Sequence, residues 1–115
     1  MAQILKITNE FSFFASHRLD CIGEEAHSHD YKFQVSVTGS LDKNDMVIDF
    51  LKLQKIVQEV IIASLENKLL NDIIPNPTAE NVTLWIWDQL QEKLNLQEIR
   101  FWETPIFSVT YNGDR

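Results

Sequence analysis

Between residues 3 and 17 hydrophobic and polar side chains alternate, and Leu5, Ile7, Phe11, Phe13, Ala15 and His17 all hold odd positions. A period of two belongs to a strand, so these side chains share one face, with His17 at its far end. The polar stretch Asp20 to Ala26 contains a glycine and reads as a loop. Beyond it His27, His29, Tyr31, Phe33, Val35 and Val37 alternate again, which predicts a second strand and an antiparallel hairpin. Turn residues follow at 38–40 and 43–45, and Asp49 is placed to cap a helix.

From Phe50 the period lengthens. Phe50, Leu53, Ile56, Val57, Val60, Ile61 and Ser64 recur at spacings of three and four, predicting an amphipathic helix that ends near Asn67. Residues 71 to 77 carry two prolines and read as a loop. A second helix is expected after Thr78 as cap, with a stripe of Val82, Trp85, Ile86, Gln89, Leu90 and Lys93. Residues 97–103 and 106–111 are rich in aromatic and β-branched side chains, and Thr104-Pro105 breaks them into a second hairpin. The expected fold is α+β: one domain over residues 1–115, ordered β-β-α-α-β-β, with a four-stranded antiparallel sheet and two helices on one face. The other face is expected to carry alternate hydrophobics and to need cover, and the sheet edges are expected to be open. Together these predict self-association that closes the sheet into a barrel.

The chain has 115 residues, 44% of them hydrophobic, enough for one core and no second domain. A net charge of −7 argues against a nucleic-acid partner or an anionic membrane surface, since both require clustered Lys and Arg. No run approaches the roughly 18 apolar residues of a membrane span, and the N-terminal residues lack a signal-peptide layout. A cytoplasmic protein is expected. Cys21 is the single cysteine, so it is either a packed apolar residue or a working thiol.

The chain has three histidines. His27 and His29, two apart on a strand, project their imidazoles from one side, and the hairpin brings His17 opposite the His-Ser-His segment. Three neutral imidazoles with a fourth position open form the catalytic rather than the structural type of zinc site. On pattern alone zinc, nickel, iron and no metal all remain open, because a His-x-His pair has little specificity.

Six segments extend the picture. Phe14-Ala15-Ser16-His17-Arg18-Leu19, His27-Ser28-His29-Asp30-Tyr31-Lys32, Met46-Val47-Ile48-Asp49-Phe50, Leu69-Leu70-Asn71-Asp72, Asn76-Pro77-Thr78-Ala79-Glu80-Asn81 with Trp85-Ile86-Trp87, and Trp102-Glu103-Thr104-Pro105 occur in that order. Together they resemble the 6-pyruvoyl-tetrahydropterin and 6-carboxytetrahydropterin synthase family. The resemblance implies the tunnelling fold, in which the sheets of three subunits close a barrel and two trimers stack into a hexamer with sites at subunit interfaces. It implies that His17, His27 and His29 ligate Zn2+, and that Glu103 grips the guanidinium-like edge of a pterin through paired hydrogen bonds. Thr78 and Ala79 resemble a segment that contacts the far end of the pterin, although helix capping accounts equally well for Thr78. Cys21, six residues before His27, resembles the catalytic base.

The chain also departs from the family pattern. An Asp-His pair usually closes the first helix and relays the proton, and here the corresponding residues are Glu66 and Asn67. Asparagine cannot take up a proton near neutral pH, so a Cys-His-Asp relay cannot be assembled. Glu66, or Glu24 and Glu25 in the loop, then become candidate acids or bases. Some relatives use glutamate in place of cysteine and cleave the side chain differently. Arg18, Lys32 and Lys68 are the candidate positive contacts for a triphosphate. The leading expectation is a zinc-dependent lyase acting on 7,8-dihydroneopterin triphosphate, of the 6-carboxy- or 6-pyruvoyl-tetrahydropterin synthase type, in a homohexamer. The alternatives are a paralogue that binds a pterin without the usual turnover and a structural oligomer without metal.

Overall fold

The computed structural model describes residues 3–114. Strand β1 (Leu5–Leu19) turns through a short 3-10 segment, Asp20–Ile22, into β2 (Glu24–Gly39). The first helix, α1, begins as Phe50–Val57, passes through a π-helical Gln58–Ile62 and closes on Ala63–Leu65. A 3-10 turn at Leu70–Asp72 leads to α2 (Ala79–Leu90), and β3 (Leu96–Thr104) and β4 (Phe107–Tyr111) complete the chain. The four strands form one antiparallel sheet in the order β1-β2-β3-β4. This is the expected layout, with the helices on one face.

Odd-numbered side chains of the first three strands build the core. Phe11, Phe13, Ala15, Tyr31, Phe33, Val35, Ile99 and Phe101 are all buried beneath the helices. Register explains the match of parity across strands, since Phe11 faces Phe33 and Phe33 faces Phe101. Both predicted caps are present: Asp49 accepts the N–H of Leu51, and the Thr78 hydroxyl oxygen accepts that of Asn81.

Helix α1 buries Leu53, Val57, Ile61 and Leu65. These are spaced by four throughout, and on a 3.6-residue helix each such step drifts by about 40°. The wider π turn takes up this drift and keeps Leu65 over the core. The helix ends at Leu65, near Asn67 as expected: Glu66 leaves the helical region at ψ 128°, and Asn67 follows at a left-handed φ of 60° with its N–H turned to the carbonyl of Phe14. On α2 the buried stripe is Val82, Thr83, Ile86, Trp87 and Leu90, so Trp87 takes the place expected of Trp85, and the helix stops before Lys93.

Two other expectations are corrected. The 20–26 loop is much shorter, because β2 already begins at Glu24 and Gly23, at φ 67°, supplies the left-handed turn residue. The outer face of the sheet is not hydrophobic. Its even positions include Ser12, Ser28, Asp30, Gln34 and Arg100, interrupted by Phe14 and Trp102. A polar face is satisfied by water, so the sheet does not need a second core there.

Candidate metal centre

The hairpin sets His17 directly opposite His27, with Ala15 opposite His29. All three imidazoles leave the helix-facing side, and their ligand atoms lie within 4.8 Å of one another. His17 is buried while His27 and His29 are partly exposed, so the cluster opens to solvent on one side.

Backbone carbonyls set the tautomers of two rings. Nδ1 of His17 lies 3.0 Å from the Pro77 carbonyl oxygen, and Nδ1 of His27 lies 2.9 Å from that of Glu25. A carbonyl only accepts, so each Nδ1 donates its proton and each Nε2 presents a lone pair. Carbonyl partners of this kind orient metal-ligating histidines. The Nε2 of His29 is buried without any hydrogen-bond partner. Burial, and after it the neighbouring His27, hold the pKa of His29 below its ordinary value, which favours the neutral form that a metal requires.

The acceptors crowd together. Nε2 of His17 and of His27 are 3.1 Å apart, Glu24 Oε1 is 2.8 Å from His27 Nε2, and Glu103 Oε1 is 3.7 Å from His17 Nε2. Lone pairs and carboxylates at these separations repel unless a cation or a proton lies among them. The donor set, three imidazole nitrogens with carboxylates beside them, therefore fits a divalent transition metal.

Glu24 reaches this face although its number is even. The β1–β2 register shifts between His17 and Leu19, and past that bulge Leu19 pairs with Glu24. Glu25 contributes its carbonyl, and its side chain is exposed. Cys21 is exposed on the turn, where its thiol contacts Asn76 Oδ1 at 3.4 Å. Glu66 accepts the N–H of Phe14 on the outer edge of β1, away from the face that carries the histidines. Lys32 leaves the opposite face and stacks over Trp102 at 4.4 Å, and Arg18 pairs with Asp20, so neither is directed at the histidines. Thr78 and Ala79 form the start of α2, immediately after the Pro77 that holds His17.

One group was not anticipated. Tyr31, 1% exposed, stacks on Phe13 and Phe101, and its ring meets those of His17 and His29 edge-on at 5.9 and 5.4 Å. Its hydroxyl is buried and has no hydrogen-bond partner, an arrangement that costs about 1–3 kcal/mol. Burial, then the charges of Glu103 and Glu24, push its pKa well above the ordinary value, so the hydroxyl stays protonated.

Residues 6–114 match the sequence pattern of the family described as 6-pyruvoyl tetrahydropterin synthase. The chain belongs to that family. It is 37% identical to the dihydroneopterin monophosphate aldolase of Pyrococcus furiosus, over 90% of this chain and 94% of that one. It is 36% identical to the 6-carboxy-5,6,7,8-tetrahydropterin synthase of Haemophilus influenzae, over 94% of this chain and 99% of that one. Among solved structures, the 6-pyruvoyl tetrahydropterin synthase of Caenorhabditis elegans superimposes with a TM-score of 0.88 at 25% identity, covering 98% of each chain. Family membership carries the tunnelling fold and a lyase role on pterins.

Proposed function

We propose that the chain is a zinc-dependent lyase that cleaves the three-carbon side chain of a 7,8-dihydroneopterin phosphate ester by a retro-aldol reaction. The observation that carries this reading is Glu24, whose carboxylate lies 2.8 Å from the Nε2 of His27. A base is thereby at the metal position without Cys21 or an Asp-His pair. The likeness to an aldolase and to a tetrahydropterin synthase supports the substrate class.

His17, His27 and His29 would hold the zinc, which when bound acidifies the hydroxyls of the substrate side chain as a Lewis acid. Glu103 grips the pterin edge by accepting two parallel N–H bonds, and the start of α2 at Thr78 and Ala79 lines its far end. Glu24 takes the proton from the hydroxyl on the second side-chain carbon. The bond between the first and second carbons then breaks, and its electron pair passes into the ring C=N. The protonated Glu24 returns the proton to the first carbon, leaving 6-hydroxymethyl-dihydropterin and a phosphorylated glycolaldehyde. One carboxylate carries both proton transfers, so a Cys-His-Asp relay is not needed.

Cys21 favours a second reading, the 6-carboxy- or 6-pyruvoyl-tetrahydropterin synthase reaction on the triphosphate. Its thiol meets Asn76, next to the Pro77 that fixes His17. Self-association is part of the proposal: β1 and β4 are the edge strands, and a polar outer face suits the wet interior of a barrel shared by three subunits, two such trimers forming a hexamer.

Incubating zinc-loaded protein separately with dihydroneopterin monophosphate and triphosphate, with chromatography of the products, decides among these readings. Hydroxymethyl-dihydropterin is expected. A carboxy- or pyruvoyl-tetrahydropterin with release of triphosphate would overturn the retro-aldol reading in favour of the synthase. Tight pterin binding without product would instead identify a binding paralogue.

A further inference from the structure

We infer that Tyr31 is a catalytic residue of this site, its hydroxyl donating a hydrogen bond to the bound pterin substrate at the atom that gains electron density as the side-chain bond breaks. The inference rests on the lyase reading above and adds to it a residue to which the sequence reading gave no role.

Three observations support it. The Tyr31 ring is fully integrated in the core, stacked on Phe13 at 5.1 Å and on Phe101 at 5.4 Å, and phenylalanine would pack there equally well. The hydroxyl therefore adds nothing to packing, and buried without a partner it weakens the fold. Second, two residues before it on the same strand and the same face, His29 Nε2 is buried and equally unpartnered. A metal held by His29 would satisfy that nitrogen, and the neighbouring hydroxyl is then the polar group still without a partner. Third, the ring borders both His17 and His29 and lies on the strand that carries two of the three histidines, so the phenol belongs to the wall of the cluster.

A donor in that position has a defined use. Retro-aldol cleavage moves an electron pair from the side chain into the ring C=N next to it, and the ring nitrogen becomes the electron-rich atom. A neutral phenol fixed by aromatic packing can donate to that nitrogen without reorganising as the charge develops. Such a bond strengthens toward the transition state, so its loss lowers kcat more than it raises KM.

The experiment uses full-length, zinc-loaded Tyr31→Phe. The expected result is a fall in kcat of about 10²–10³-fold, with KM within about threefold, unchanged metal content and an unfolding midpoint equal to or above wild type. The raised or unchanged midpoint is a readout that a structural hydroxyl would not produce. A kcat within twofold of wild type would overturn the inference. So would a fall in kcat accompanied by parallel loss of metal or of thermal stability, since the hydroxyl would then be supporting the fold. If the wild-type protein turns over no dihydroneopterin phosphate, the lyase reading fails separately, and neopterin binding followed by fluorescence tests the contact alone. Tenfold weaker binding in Tyr31→Phe would keep the hydroxyl as a ligand group, and equal affinity would remove it.

Discussion

The long β1–β2 hairpin has two ends that are finished in opposite ways. At the histidine end polar atoms crowd together: imidazole nitrogens, two carboxylates and the buried phenol of Tyr31, with His29 Nε2 and the Tyr31 hydroxyl lacking any hydrogen-bond partner. At the other end apolar side chains are left uncovered. Leu5, Leu41, Met46, Phe50 and Leu51 border a cavity of ≈ 570 Å³, with Leu51 73% and Phe50 66% exposed. One end of the hairpin thus carries a surface suited to a cation and a polar ligand, and the other borders, with the 40–49 connection and the start of α1, a surface suited to nonpolar contact. Between them lies a continuous aromatic and aliphatic core from Phe11 to Phe101, rigid enough to keep the two ends independent.

Substitutions at each end test that independence. The largest effect is expected from His27→Ala, which should take the protein from about one metal ion per chain to none by elemental analysis and abolish turnover. Full metal retention would break the three-histidine assignment. Glu24→Gln should keep the metal and lower kcat by about 10²–10⁴-fold, measured at saturating substrate. Should Cys21→Ala or Glu66→Gln show that loss instead, the base belongs to one of those residues. Thr78→Ala removes the α2 cap and should cost about 1 kcal/mol, seen as a fall of roughly 4 °C in Tm. Leu51→Lys, at the opposite end, should change stability by no more than about 0.5 kcal/mol and leave metal content and kcat unchanged. A drop in metal content there would show that the two ends are coupled.

Much of the metal end was legible in the sequence because a strand repeats every two residues. Alternation alone puts His17, His27 and His29 on one face, and a hairpin does the rest. The same alternation also held the evidence that the outer face is polar, in Ser12, Ser28, Asp30 and Gln34, but the expectation of hydrophobics there followed from the general need to cover a sheet. Glu24 was harder to place. It was a loop residue in the sequence reading, and only the bulge beside His17 brings an even-numbered side chain to the odd face. Tyr31 reads as one more core aromatic, and nothing in its spacing reveals a hydroxyl without a partner. Pro77, through its backbone carbonyl, and Asn71, through its side-chain amide, act on β1 from more than fifty positions away and leave no periodic trace. Asn67, which cannot perform the proton chemistry of a histidine, is the left-handed residue of the turn that follows α1.

The segment that follows Asn67 closes off part of the edge of β1. Phe14 exchanges bonds with Glu66 and Asn67, Ser16 donates to the Lys68 carbonyl, and Asn71 grips both the N–H and the carbonyl of Arg18. These even-numbered residues turn their backbone groups outward, as every second residue of an edge strand does. Among the described residues, the free run of that edge is reduced to Lys6, Thr8, Glu10 and Ser12. Any strand that joins the sheet there meets a stop at Phe14, so the chain itself fixes how far a neighbour can slide and keeps the approach to the histidines clear.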